Sequence, residues 1–260
     1  MTDKITLRIA MIQMHVVGNN AAKNLQTAER MVKEAALAGA ELAVLPECMD
    51  LGWTHPASLI NATEIPDGEV FRRLQHMARE NNMYLCSGMT ELEAGKVYNS
   101  AVLLDNRGEL ILKHRKINKL DIEKPFYCPG DRINMANTSL GKIGVMICAD
   151  AIVPDLSIPS ALARMQPDII LSPCAWAVPA DHDNEKEPYG DLWRNVYRPI
   201  SRDFSTYIIA VSNVGKMADG PWKGWNCIGA SLAFDNAGQE MLQCAYGVNS
   251  ETIAYVNCSY

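Results

Sequence analysis

Short apolar segments alternate with helical segments along the chain, and this alternation constrains the fold more than any other feature of the sequence. The first unit has a strand pattern at residues 5–13, a one-faced apolar helical pattern that ends near Gly39, and a short strand at residues 41–46. A second unit has a helix at residues 69–81 and a strand at residues 84–90. Repeated strand and helix units predict an α/β protein whose mixed sheets are covered by helices on their outer faces.

The second half of the chain repeats the pattern after two strands that flank a turn at residues 105–108. It begins with a predicted strand at residues 142–148, a helix at 156–165 and a strand at 168–172. A helix at 192–205 and strands at 207–212, 228–234, 240–245 and 252–257 follow. One domain over residues 1–260 suffices for this pattern, and the irregular stretches at residues 121–137 and 177–190 are predicted to line a cleft.

Charge and cysteine content exclude several classes of function. The 260 residues carry a formal net charge of −6, which does not match the basic surface that nucleic-acid binding needs. No apolar segment is long enough to cross a bilayer, and the opening segment lacks a small-residue cleavage site. The 8 cysteines are scattered without a C-x-x-C pair, which indicates reduced thiols and a cytoplasmic location rather than disulfides or a zinc site.

Three groups capable of chemistry follow apolar strands, where ligand crevices form in α/β folds. Glu47 comes directly after a predicted strand, Lys116 follows another, and Cys148 ends a third. Each has an ordinary interpretation when taken alone: an exposed acid, a solvated lysine and an inert buried thiol. Together they would form a base, an oxyanion stabiliser and a nucleophile.

These groups lie in Leu45-Pro46-Glu47, Arg115-Lys116-Ile117 and Gly144-Val145-Met146-Ile147-Cys148-Ala149-Asp150, in that order. The arrangement resembles the Glu-Lys-Cys pattern of the nitrilase or carbon-nitrogen hydrolase superfamily. The likeness covers most of the chain and continues at residues 10–13, 98–101, 172–176, 212–215 and 229–238.

The resemblance implies an αββα sandwich of two mixed sheets covered by helices on both outer faces. It implies that Glu47 takes the Cys148 proton, and that Lys116 and the backbone N–H of Ala149 hold the oxyanion while a thioester forms. No metal or other cofactor is required. Glu123 is placed like the family's second active-site glutamate, with Asp121 as the competing residue. The resemblance also implies a homodimer or larger homo-oligomer, built through the helical outer layers.

Two departures from the family pattern concern the substrate. Residues 149–155 lack the Tyr or similar larger residue and the Arg that the family commonly has after the nucleophile, and residues 197–200 replace the family's later Arg-Ala segment. An amide or N-carbamoyl (ureido) compound is the first prediction for the substrate and a nitrile the second. Trp176 is the best candidate for a pocket wall because it follows a predicted strand end, with packing as the alternative role.

Alternatives outside this mechanism remain at this point. A catalytically silent binding protein of the same fold would be expected to have lost one of the three groups, and none is missing. A Cys–His hydrolase would need His114 or His15, which lack that class's local signature. The basic residues around Lys116 have a solvated edge as their simplest interpretation: Lys113, His114, Arg115 and Lys119.

Overall fold

The computed structural model describes residues 6–260, so Ile5 of the predicted first strand lies outside the described residues. The strands are β1 (Thr6–Gln13), β2 (Leu42–Val44), β3 (Tyr84–Glu93), β4 (Lys96–Leu104), β5 (Leu110–Arg115), β6 (Met135–Thr138), β7 (Gly141–Val145), β8 (Ile169–Cys174), β9 (Ala177–Val178), β10 (Tyr207–Ser212), β11 (Val214–Lys216), β12 (Asn226–Ile228), β13 (Leu232–Phe234), β14 (Glu240–Gln243) and β15 (Thr252–Ser259). The α-helices are α1 (Ala21–Leu37), α2 (Ser58–Asn61), α3 (Glu69–Glu80), α4 (Ser157–Arg164) and α5 (Asp191–Phe204).

The strands form two six-stranded sheets with the same pattern of parallel and antiparallel neighbours and a small three-stranded sheet. The first large sheet has the order β15-β1-β2-β3-β4-β5, and the second has the order β6-β7-β8-β10-β13-β14. In each, the second, third and fourth strands are parallel and all other neighbours are antiparallel. The small sheet has the order β11-β12-β9. The strand and helix repeat in the sequence therefore corresponds to a repeated sheet.

The side chains of β1 alternate between two cores, as the period of a strand requires. Leu7, Ile9 and Met11 pack in the core that joins the two large sheets, and Ala10 and Ile12 pack against helices α1 and α3. Helices α4 and α5 cover the other side of the second sheet with residues such as Leu162, Tyr197 and Ile200. The layers are helix, sheet, sheet and helix, which confirms the predicted αββα sandwich of two mixed sheets.

Three predicted elements differ from those in the structure. The single strand expected at residues 228–234 is two strands, β12 and β13, which lie in different sheets. Gly229 (φ 63°) and Ala230 (φ 55°) separate them, because a left-handed backbone cannot continue a strand. The predicted loop at residues 121–137 contains the start of β6, and the strand expected to end at Cys148 ends at Val145.

None of the helices within residues 6–260 combines the length and the apolar character that a membrane span requires.

Candidate active site

Glu47 is held beside the end of β2 by backbone contacts on two sides. Its N–H donates to the carbonyl of Cys174 at 3.2 Å, and the Gly88 N–H donates to the carbonyl of Pro46 at 3.1 Å. A Cβ at Gly88 would lie 2.5 Å from the Glu47 Cα, so only glycine permits this approach. The Glu47 segment is thereby fixed against both large sheets, since Gly88 lies in β3 and Cys174 in β8.

Lys116 follows β5 and its side chain is 1% exposed. Its Nζ lies 2.8 Å from Oε1 of Glu47 and 2.8 Å from Oε1 of Glu123. Burial opposes the charge, but the two carboxylates outweigh it and raise the pKa of Lys116 well above its ordinary value. Lys116 is therefore a buried ammonium held between two acids.

Glu123, rather than Asp121, joins this cluster. Besides Lys116, its Oε1 accepts from the indole Nε1 of Trp53 at 2.8 Å, and its Oε2 accepts from the Leu120 N–H at 2.9 Å. Asp121 is exposed and pairs with Lys124 at 2.6 Å. A short 3-10 turn at Asp121–Glu123 decides between them, because it points one carboxylate inwards and the other into solvent.

Asn99 and Trp53 belong to the site, although the sequence analysis did not select them as site residues. Asn99 Nδ2 donates to Oε1 of Glu47 at 2.6 Å and lies 3.4 Å from Oε1 of Glu123. The ring centroid of Trp53 is 5.6 Å from Nζ of Lys116. The signal for Asn99 was its place at residues 98–101, one of the segments in which the sequence resembles the carbon-nitrogen hydrolase superfamily; none of these segments contains Trp53.

Cys148 begins a 3-10 turn, Cys148–Ile152, after β7, and is 6% exposed. Its φ of 42° is left-handed, a strained conformation for a residue with a Cβ that is common at functional sites. Burial raises the pKa of the thiol well above its ordinary value; Glu47 also raises it, whereas Lys116 lowers it. The thiol thus shares one electrostatic neighbourhood with Glu47 and Lys116, and its resting form is neutral.

Oε2 of Glu47 is buried and has no hydrogen-bond partner among the described residues. Burial raises the pKa of Glu47 above its ordinary value of 4.5, although Lys116 opposes the shift. One oxygen of Glu47 is therefore committed to Lys116 and Asn99, and the other is free to exchange a proton. A carboxylate with a raised pKa is suited to general base chemistry near neutral pH.

The two tryptophans near the carboxylate cluster and Cys148 have different surroundings: Trp176 packs in the core, and Trp53 lines a cleft. Trp176 is 1% exposed and stacks on Trp193 with ring centroids 4.7 Å apart, so its side chain lies in the core, and its role as a pocket wall stays a prediction. Trp53 lines a cleft beside the carboxylate cluster, together with His55, Asn213, Met217 and Cys227.

His114 is not part of a solvated edge, and that interpretation was wrong for this residue. It is 2% exposed, and its Nε2 lies 2.8 Å from Oδ2 of Asp150. Because a carboxylate only accepts, Nε2 carries the proton and donates it. The other ring nitrogen, Nδ1, is buried and has no hydrogen-bond partner among the described residues, so no hydrogen bond joins the His114 ring to the Cys148 thiol, and this disfavours the Cys–His alternative. Lys113 and Arg115 are paired with Glu91.

Within residues 6–260, no group of three or more His, Cys, Asp or Glu side chains is arranged to hold a metal ion. All eight cysteines are free.

Asp50 lies three residues after Glu47 and is buried, so its titration tests whether the segment after β2 is buried in solution. It accepts from the Thr90 N–H at 3.1 Å, and burial raises its pKa from 3.8 to about 6. The folded state keeps the Asp50 proton up to a higher pH than the unfolded state does. The free energy of unfolding therefore falls as the pH rises from about 4 to 6. We expect the stability of Asp50→Asn relative to wild type to improve by about 3 kcal/mol between pH 4 and 7. Urea unfolding at several pH values measures it; a pH-independent difference contradicts it.

The fold and these contacts define a class, the nitrilase-like αββα proteins. Nit3 of Saccharomyces cerevisiae, described as a member of branch 10 of the nitrilase superfamily, superposes with a TM-score of 0.82 over 97% of this chain and 89% of that chain, at 23% identity. The family model for carbon-nitrogen hydrolases matches residues 8–259, so the chain belongs to the carbon-nitrogen hydrolase family. The family predicted from the motifs is confirmed.

Two curated relatives are similar over part of their length. A protein named nitrilase from Pyrococcus abyssi is 36% identical over 177 residues, 66% of this chain and 66% of that protein. Omega-amidase NIT2 of Mus musculus is 36% identical over 155 residues, 56% of this chain and 55% of that protein. The chain thus spans between about half and two thirds of the length of these relatives.

Proposed function

We propose that the protein hydrolyses a small-molecule, non-peptide carbon–nitrogen bond, in an amide or an N-carbamoyl compound, through a thioester on Cys148. The observation that carries the proposal is the buried Glu47–Lys116–Glu123 cluster beside a strained thiol, with one Glu47 oxygen unpartnered. Buried charges are costly even when they are paired, and this cluster combines the base and the cation that acyl transfer to sulfur needs. The name of the omega-amidase relative supports an amide substrate.

In the first step, Glu47 removes the thiol proton as Cys148 sulfur bonds to the carbonyl carbon. The neutral resting thiol makes this base necessary, because the thiolate is the nucleophile. The carbonyl π electrons move to oxygen, and the resulting oxyanion is stabilised by the Lys116 ammonium and the Ala149 N–H. Glu123 and Asn99 hold Lys116 and Glu47 in place for this step.

In the second step, the carbon–nitrogen bond breaks and Glu47 returns its proton to the departing nitrogen. The thioester remains on Cys148. Glu47, again a carboxylate, deprotonates a water that attacks the thioester carbon, and the acid leaves as sulfur recovers the proton. One carboxylate serves as base, acid and base because its raised pKa allows both forms near working pH.

A nitrile is the second candidate substrate, and the name of the Pyrococcus abyssi relative favours it. Cys148 would then form a thioimidate, which loses ammonia after water adds. A panel of amides, ureido acids and nitriles, assayed for acid and ammonia, separates the candidates. Absence of turnover on the whole panel would favour the silent binding protein.

Glu47→Gln is expected to lower kcat/KM by about 10³-fold, because the amide keeps the volume but cannot take a proton. In the wild type, kcat/KM should rise with pH through a midpoint above 4.5, since the base must be ionised and burial raises its pKa. Steady-state kinetics from pH 4 to 9 measure both. Glu109→Gln, an exposed glutamate, is the control; equal rates for wild type and Glu47→Gln would refute the assignment.

A further inference from the structure

Asp150 is a buried carboxylate that the proposed reaction does not use, and it accepts hydrogen bonds from both segments that carry the reacting groups. Its Oδ1 accepts from the N–H groups of Ile117 at 2.9 Å and Asn118 at 2.8 Å. Its Oδ2 accepts from the Ile147 N–H at 2.9 Å and from His114 Nε2 at 2.8 Å. Four donors saturate the two oxygens in a site that is 0% exposed.

The donors lie directly beside the proposed catalytic residues. Ile117 follows Lys116 in the chain, and Ile147 precedes Cys148. The Asp150 N–H also donates to the Ile147 carbonyl at 2.9 Å, so its backbone and its carboxylate both close the turn. Asp150 therefore links the end of β5 in the first sheet to the turn after β7 in the second.

Asn118 adds a second link between the same segments. Its Nδ2 donates to the carbonyl of Ala149 at 2.6 Å. This contact restrains the carbonyl of Ala149. The N–H of the same residue is the proposed oxyanion donor. The strained φ of 42° at Cys148 needs such restraint, because a left-handed non-glycine residue persists only when its surroundings over-determine it.

We propose that Asp150 and Asn118 are positioning residues: the Asp150 carboxylate and the Asn118 amide together set the spacing between the Lys116 segment and the Cys148 turn. This inference rests on the proposed function for its kinetic consequence. Its charge state fits the role: burial alone would raise the pKa of Asp150, but the hydrogen bonds from His114 and the backbone lower it below its ordinary value of 3.8. Displacing a reacting group by about 1 Å can cost about 10²-fold in rate.

The test compares Asp150→Asn with Asp105→Asn. The asparagine amide has the shape of the carboxylate, but its NH₂ group is a donor and would face N–H donors that one Asp150 oxygen now accepts. The Lys116 segment and the Cys148 turn must therefore move apart. Asp105 is a matched control, because it accepts from the N–H groups of Arg107 at 2.8 Å and Glu109 at 2.9 Å in the β4–β5 turn. We expect Asp150→Asn to lower kcat by about 10²-fold with little change in KM, and Asp105→Asn to keep the wild-type kcat.

Asn118→Ala is the second variant and keeps the inference testable if Asp150→Asn fails to fold. It removes only the contact with Ala149 and should lower kcat by about 10-fold without changing KM. Wild-type kcat in a folded Asp150→Asn or, if that variant does not fold, in Asn118→Ala would overturn the inference. Equal losses in Asp150→Asn and Asp105→Asn would also overturn it.

Alkylation of Cys148 by iodoacetamide, followed by peptide mass spectrometry, separates this inference from the proposed function. If the wild type turns over no substrate, the proposed function fails, but the rate of alkylation still reports on the geometry around the thiol. We expect slower alkylation in Asp150→Asn and an unchanged rate in Asp105→Asn. An unchanged rate in both variants would contradict the positioning role.

Discussion

Cys148→Ala is expected to lower kcat/KM for the preferred substrate by about 10⁴-fold or more, because the proposed acyl-enzyme forms on the Cys148 thiol. The folded state should survive, since the substitution removes one buried sulfur atom from a turn whose backbone bonds do not involve the thiol. We expect a change in the free energy of unfolding of about 1 kcal/mol. Steady-state assays and urea unfolding measure the two effects.

Cys86→Ala is the matched control for Cys148→Ala. Cys86 is also buried in the core between the sheets but lies within β3, so its loss should affect packing and leave turnover intact. Mass spectrometry of wild type after rapid quenching should detect the acyl group on the peptide that contains Cys148. Wild-type turnover by Cys148→Ala, or an acyl group on another cysteine, would show that the nucleophile is wrongly assigned.

Lys116→Met is expected to combine the largest loss of stability with a loss of activity. Nζ of Lys116 lies 2.8 Å from both Glu47 and Glu123, and methionine leaves these two carboxylates buried without their cation. Breaking a buried pair in this way costs about 3–5 kcal/mol. Loss of the proposed oxyanion stabiliser should also lower kcat by about 10²–10³-fold. The stability defect should shrink at low pH, where the carboxylates are protonated.

The double variant Lys116→Met with Glu123→Gln separates the two effects. Removing one of the uncompensated charges should restore part of the stability, whereas activity should stay low because the ammonium is still absent. Lys113→Met is the control: Lys113 is partly exposed, and its partner Glu91 keeps Arg115, so about 1 kcal/mol or less is expected. If Lys116→Met unfolds like wild type at neutral pH, the cation does not balance the buried carboxylates.

The three proposed catalytic residues could be selected from the sequence because each follows an apolar strand within a recognisable motif. Glu47 and Lys116 are in direct contact, as a shared site requires. The choice between Glu123 and Asp121 could not be made, since it depends on which carboxylate a single 3-10 turn buries. Asn99, Trp53 and Asp150 are recognised through their partners, which lie between 24 and 70 residues away in the chain except for Ile147, three residues before Asp150.

The fold was predictable where apolar periodicity was long enough to identify an element. Helix α3 and strand β10 begin at the predicted residues, and the α/β class with helix-covered mixed sheets follows from the repeated units, whereas the αββα layering was implied by the family resemblance. Strands β6, β9 and β11 were not predicted. They are two to four residues long, so their pairing with other strands, rather than their own pattern, defines them.

The repeated sheet has a consequence for how the molecule loses activity. Glu47 and Lys116 come from the first half of the chain and Cys148 from the second, so the proposed catalytic residues lie at the junction of two similar halves. Neither half alone contains both Glu47 and Cys148. A displacement of one half relative to the other would separate these groups while each sheet is still intact, so on warming the proposed activity should be lost at a lower temperature than the fold.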